Sequence, residues 1–274
     1  MALRNGPSEE LNRQGNDHFS RGHYTEAYAC YVKALECDRL SGDQRALAAT
    51  LGNLGNICAV SGRREAAQEY YLEVLELQKL FGDEKGIGTT LANLGNLRAD
   101  AGEWEKANAY YLEALDLMTK TRDEAAKAVL YSDLGLVARE TGDYDRAIRD
   151  YEQSLILMRR VGNEAGVADA WRMMGRTFFL LGRHEDAVAC CQTSRSIAER
   201  LHDELRTGGA RYVLAQCYEA LGRLEDAVTE LEQVVEMDQK YQLPKLAENT
   251  MRLARLRERL VTSTDSSSFE DRHR

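Results

Sequence analysis

Leu51-Gly52-Asn53-Leu54-Gly55-Asn56, followed by Ser61-Gly62, Ala66-Ala67 and Tyr70-Tyr71, comes back forty positions later as Leu91-Ala92-Asn93-Leu94-Gly95-Asn96, Ala101-Gly102, Lys106-Ala107 and Tyr110-Tyr111. The same step runs through the whole chain. Gly22, Gly62, Gly102, Gly142, Gly182 and Gly222 form one ladder, and Ala27, Ala67, Ala107, Ala147, Ala187 and Ala227 a second. A third, Gly15, Gly55, Gly95, Gly135 and Gly175, holds until Ala215. Three residue classes that agree on one period and six copies define a solenoid. Each copy is too small to bury its apolar face alone and does so against its neighbours. A long concave surface follows, so function is expected in recognition rather than in chemistry.

Within residues 43–82, Leu47, Leu51, Leu54 and Cys58 fall at steps of four, three and four, which predicts a helix with one buried stripe. It should stop near Ser61-Gly62, where glycine can take the left-handed backbone that closes a helix. Ala66, Ala67, Tyr70, Tyr71, Val74, Leu75 and Leu77 line a second stripe, ended by Phe81-Gly82-Asp83. Two antiparallel helices therefore make one copy. Gly55 and Ala67 are expected where the helices cross, with Tyr71 filling the space between copies.

The composition is 43% hydrophobic, 30% charged and 7% aromatic with two prolines, which suits helices joined by glycine turns. One continuous array without an internal domain boundary is expected. A formal charge of -9 argues against nucleic acid as a partner, because phosphate-binding surfaces are positive. No stretch approaches the ~20 apolar residues that span a bilayer, so no membrane insertion is expected. Residues 1–7 lack the apolar core of a signal peptide, which predicts a cytoplasmic protein. The six cysteines show neither C-x-x-C spacing nor a disulfide framework. Cys37 takes the register of Leu77 and Leu117, and Cys191 that of Tyr31, Tyr71, Tyr111 and Tyr151, so these thiols read as reduced apolar fillers.

The order Leu51, Leu54-Gly55, Cys58, Gly62, Ala67, Tyr71, Val74 resembles the tetratricopeptide pattern over about residues 8–241. The period is forty rather than the usual 34, and no proline closes each second helix; longer helices are expected to absorb the difference. The resemblance implies an all-α fold, a right-handed α-solenoid of six helical hairpins. Within the family, the Asn53/Asn56 and Asn93/Asn96 runs are similar to the repeats of the Pins/LGN polarity adaptors and, more loosely, to kinesin light chains. The opening around Asn12 and Asn16 is similar to co-chaperone repeats that clamp a carboxylate. Such clamps take a lysine where Asn12 stands and basic residues at Thr89 and Asn93; only Asn16 and Asn53 match, and no clamp is expected.

Pro244 and the stripe Leu246, Leu253, Leu256 and Leu260 predict a capping helix from about residue 244 to 261, with Arg252, Arg255 and Arg259 on another side. Residues 1–7 read as an extension, and residues 262–274, rich in Ser and Thr, as a disordered tail.

In tetratricopeptide superhelices the first helix of each hairpin lines the inner groove. The resemblance thereby places Asn16, Asn56 and Asn96 in that groove, followed by Leu136, Arg176 and Gln216. Asn53 and Asn93 lie three residues earlier, on nearly the same face. A carboxamide can donate to a peptide carbonyl and accept from its amide at once, and in Pins/LGN-like repeats asparagines of this pattern hold the partner's main chain. The alternative is that they satisfy one another between helices. Arg139, Arg172 and Arg176 predict a basic rear, balanced by acidic residues of a partner or by Asp133, Glu140 and Asp169 nearby. Phe179 falls in a groove register and can meet an apolar partner side chain, whereas Phe178 falls in a core register.

The histidines are scattered and none pairs with a cysteine at ligand spacing, so no metal site is expected. No phosphate loop or nucleophile elbow occurs, so neither cofactor nor enzyme activity is expected. The reading is an adaptor that holds an extended peptide segment of a partner protein. A ligand-responsive receptor resembling Rap proteins in architecture, or a self-assembling scaffold, are the alternatives.

Overall fold

The computed structural model describes residues 6–270, with side chains described through Thr262. Among these residues the chain forms thirteen α-helices and no strand. In order they are α1 (Pro7–Ser20), α2 (Tyr24–Ser41), α3 (Gln44–Val60), α4 (Arg64–Phe81), α5 (Glu84–Asp100), α6 (Trp104–Lys120) and α7 (Glu124–Glu140). Then come α8 (Tyr144–Arg160), α9 (Glu164–Leu180), α10 (His184–Arg200), α11 (Glu204–Ala220), α12 (Leu224–Tyr241) and α13 (Leu246–Glu270).

Helices of 17 or 18 residues from α2 to α12 absorb the long period. Between the two helices of a hairpin the chain turns through a left-handed residue, as at Gly62, where φ is 73° and a side chain would be strained. The opposite turns use the same conformation at Gly42, Gly82 and Gly162, and at Arg122, His202 and Gln242 without the help of glycine. Asp43, Asp83, Asn163 and Asp203 then cap the next helix, each accepting from backbone N–H groups of its first turn.

The chain divides into two compact units, the division falling between Leu130 and Tyr131. In the first unit α1 pairs with α2, α3 with α4 and α5 with α6, and each hairpin packs on the next through α2 on α3 and α4 on α5. Leu51, Leu54, Ile57, Leu91 and Leu94 are buried at the helix crossings. The tyrosine of each hairpin packs on its own glycine. A methyl group built on Gly55 would stand 2.5 Å from Tyr71 Cε1, and one on Gly95 the same distance from Tyr111 Cε1. Tyr71 thus fills its own hairpin rather than the space between copies, because glycine, unlike any larger residue, leaves room for a ring between the two helices.

A polar chain crosses this core. Thr50 donates to the buried Asp38 carboxylate at 2.6 Å, Asn12 Nδ2 donates to Thr50 Oγ1 at 2.7 Å, and Asn53 Nδ2 donates to Asn12 Oδ1 at 2.9 Å. Thr50→Val keeps the shape but strips Asp38 of this donor and leaves the Asn12 Nδ2 group only its bonds to Ser8, the closer at 3.1 Å to the backbone oxygen. A loss of about 1–3 kcal/mol is expected in thermal or urea unfolding, the cost of leaving buried polar groups unpaired.

In the second unit α9 pairs with α10 and α11 with α12, and α13 packs on α12. Tyr151 of α8 packs on Gly135 of α7. Leu253 and Leu256 of α13 are buried against the core of α11 and α12, where Val213, Leu214, Leu231 and Val234 meet. Asn249 Nδ2 donates to the buried Asp238 at 2.7 Å. Two of the three arginines on the charged side, Arg252 and Arg259, both grip Glu219 at 2.6 Å. The helix continues past Val261 to Glu270 because residues 262–270 contain neither glycine nor proline to stop it. The predicted tail therefore begins inside a helix, and its last four positions lie outside the described residues.

Candidate functional site

The tyrosines and asparagines of the first unit are built as pairs. Tyr31, Tyr71 and Tyr111 each donate a hydroxyl hydrogen bond of 2.7 Å, to Oδ1 of Asn16, Asn56 and Asn96 respectively. Burial pushes the Tyr71 hydroxyl up to about 12, so it stays a proton donor at any physiological pH. Asn93 Nδ2 approaches the Asn56 oxygen at 3.5 Å, consistent with that orientation of the carboxamide. The buried ring thus fixes an exposed amide from beneath.

This changes the chemistry the sequence suggested. A carboxamide that both donates and accepts was expected; here the carbonyl is engaged by the tyrosine, and the Nδ2 hydrogens of Asn16, Asn56 and Asn96 have no partner among the described residues. The row is a set of donors. Asn56, Asn93 and Asn96 line an open hollow of about 250 Å³ together with Phe19, Tyr71 and Leu97. Asn53, half-buried, instead ends the polar chain that starts at Asp38. The bonding between neighbouring helices expected as the alternative therefore occurs at Asn53.

In the second unit Arg139 is buried, bonded to Glu140 Oε1 at 2.7 Å and to Met173 Sδ at 3.4 Å. Of the acids expected near it, Glu140 provides the balance. Arg172 is half-buried and reaches Asp169 at 3.4 Å, while Arg206 holds the other oxygen of Asp169 at 3.0 Å. Arg176 is exposed and has no ion-pair partner among the described residues. Phe179 is half-buried, 5.2 Å from the His184 ring and packed on the α11/α12 core. Phe178 packs on two core clusters and carries Arg183 over its face at 4.6 Å. A larger hollow of about 460 Å³ between α10, α11 and α12 has its cations already matched, Arg211 to Glu199 at 3.0 Å and Lys240 to Glu204 at 2.6 Å.

The six cysteines are free thiols, and burial raises Cys190 to about 11. Among the described residues no three His, Cys, Asp or Glu side chains converge as metal ligands, and no helix is long and apolar enough to cross a membrane. Sequence reasoning missed Asn12 as the centre of a polar chain and the tyrosines as partners of the asparagines. The second had a signal: Asn16, Asn56 and Asn96 each precede a tyrosine by fifteen residues.

Stacked helical hairpins presenting fixed polar side chains make this a repeat protein built as a protein–protein interaction scaffold. The tetratricopeptide repeat model matches residues 10–80, 86–160, 126–190 and 166–240, and the chain belongs to that family. No curated protein matches. Solved structures share the fold at low identity. BtubC from P. vanneervenii is 18% identical with a TM-score of 0.68, over 85% of this chain and 92% of its own. A signal transduction ATPase with a tetratricopeptide repeat sensor from Pyrococcus horikoshii is 15% identical with a TM-score of 0.77, over 91% of this chain but only 38% of its own. A Rap protein complexed with competence and sporulation factor is 16% identical with a TM-score of 0.68, over 93% and 76%.

Proposed function

We propose that the protein is an adaptor that holds an extended segment of a partner protein against the amide donors of its first unit. The observation that carries this is the row of exposed Asn16, Asn56 and Asn96, whose carbonyls accept from tyrosines while their Nδ2 hydrogens have no partner among the described residues. Backbone carbonyls recur along any extended peptide, so such a row recognises main chain and tolerates varied side chains. Asn93 lines one hollow with Asn56 and Asn96, and Asn53 is held by Asn12. In the second unit, the exposed Arg176 and loosely paired Arg172 give a preference for acidic partners, and Phe179 offers an apolar contact. Likeness to the Rap protein supports the fold alone, so a ligand-driven receptor gains no separate argument from it.

The test is capture on an array of synthetic peptides of mixed composition. Asn56→Ala combined with Asn96→Ala should weaken capture by about tenfold or more, the equivalent of two neutral hydrogen bonds, with helicity unchanged. Equal capture by the double variant contradicts the reading.

A further inference from the structure

Tyr151 departs from the pattern of its own register. Tyr31, Tyr71 and Tyr111 give their hydroxyl protons to an asparagine fifteen residues earlier, but before Tyr151 that place is held by Leu136, which has no acceptor. Tyr151 is 0% exposed, and its hydroxyl has no hydrogen-bond partner among the described residues. In the next two copies the asparagine and the tyrosine are lost together, to Arg176 with Cys191 and to Gln216 with Leu231. Only the fourth copy keeps the hydroxyl after losing its acceptor. Buried hydroxyls almost always have partners, so this one is a donor available to water or to a group of another molecule.

The neighbourhood indicates which acceptor. The hydroxyl lies within electrostatic reach of Arg139, Glu140, Asp133 and Arg172. Glu140 already neutralises Arg139. Arg172 shares Asp169 with Arg206, which holds it more closely, and Arg176 stands one turn further along α9 without an acid. Asp133 has no ion-pair partner among the described residues, and burial lifts its carboxyl to about 7, so it opposes an anion with only part of a charge near neutrality. Cations therefore outweigh anions around an idle donor.

We propose that Tyr151, with Arg172 and Arg176, forms a carboxylate subsite in the second unit, in which the Tyr151 hydroxyl donates to one oxygen of a partner's carboxylate. Arg172 and Arg176 supply the compensating charge. Leu136, half-buried, holds the position from which the asparagines of the first three copies meet their tyrosines. The subsite rests on the peptide-binding reading above and adds a specificity to it.

The test is an array of synthetic peptides in matched pairs, glutamate against glutamine, each made with a free and with an amidated carboxyl terminus. The wild type should favour glutamate in the pairs it captures. A preference for the free over the amidated terminus, in place of one for glutamate over glutamine, puts the chain end in the subsite instead of a side chain. Tyr151→Phe, which removes an unpaired buried hydroxyl and so should fold at least as well, should cut the preference about tenfold, the equivalent of one hydrogen bond to a charged group. Leu136→Asn, which gives Tyr151 an internal acceptor as in the first three copies, should cut it similarly. An unchanged preference in Tyr151→Phe, or no carboxylate preference in a wild type that captures peptides, overturns the subsite. Failure of the wild type to capture any peptide overturns the groove reading itself, and the subsite with it.

Discussion

Gly55→Ala should destabilise the first unit by about 1–3 kcal/mol, while Gly52→Ala on the same helix should stabilise it by up to about 1 kcal/mol. The two glycines lie three residues apart in α3 and differ only in what faces them. A Cβ on Gly52 meets nothing within 4 Å, so alanine gains helix propensity there at no cost. A Cβ on Gly55 lands 2.5 Å from Tyr71 Cε1 and 2.7 Å from Cδ1, closer than carbon atoms approach. The ring cannot retreat easily, because it is 3% exposed and its hydroxyl is tied to Asn56. Urea unfolding of the two variants reads the difference directly. If both alanines behave alike, the tyrosine does not pack on Gly55. The effect reaches function as well, since a displaced Tyr71 releases the Asn56 carboxamide.

Glu230→Ala should cost about 3 kcal/mol, the low end for removing one partner of a buried ion pair. Glu230 of α12 is 6% exposed and lies between two arginines: Arg195 of α10 on one oxygen and Arg211 of α11 on the other, the latter at 2.7 Å. Arg211 also reaches Glu199 at 3.0 Å. Truncating Glu230 leaves two guanidinium groups at a three-helix junction with one acid, and their partial exposure keeps the cost from rising further. Glu199→Ala is the control. That side chain is 47% exposed, and exposed ion pairs contribute about 0–1 kcal/mol. Equal losses for the two variants, measured by thermal unfolding, contradict the view that burial sets the energy of this network.

The hairpin array was legible in the sequence because a repeat writes the same steric requirement six times. Gly62, Gly55 and Ala67 can be assigned to turn and crossing because their equivalents recur with the same spacing. The left-handed turns at Arg122, His202 and Gln242 were hidden, since residues that do not favour that conformation give no local sign of it. The site was legible in part. The register brought Asn56, Asn93 and Asn96 to one hollow, yet which atoms remain available depends on Tyr71 and Tyr111 from the opposite helix of each hairpin, a contact that helical periodicity cannot express. Arg139 shows the same limit in reverse. Its register pointed to the groove, but the neighbouring Glu140 and the sulfur of Met173 draw the guanidinium into the core. Asn12, read by comparison with a lysine clamp, proved to be the link between Asn53 and the buried Asp38.

The proposed function stands on three tyrosine-anchored asparagines that offer free amide donors to a peptide main chain. The measurement that meets it most directly is nuclear magnetic resonance of the side-chain amide groups in nitrogen-labelled protein, titrated with an uncharged peptide captured on the array. The Nδ2 proton signals of Asn16, Asn56 and Asn96 should move together to the positions of hydrogen-bonded amides, while that of Asn53, already engaged by Asn12, stays in place. Movement confined to other residues, with those three signals unchanged at saturating peptide, contradicts the account.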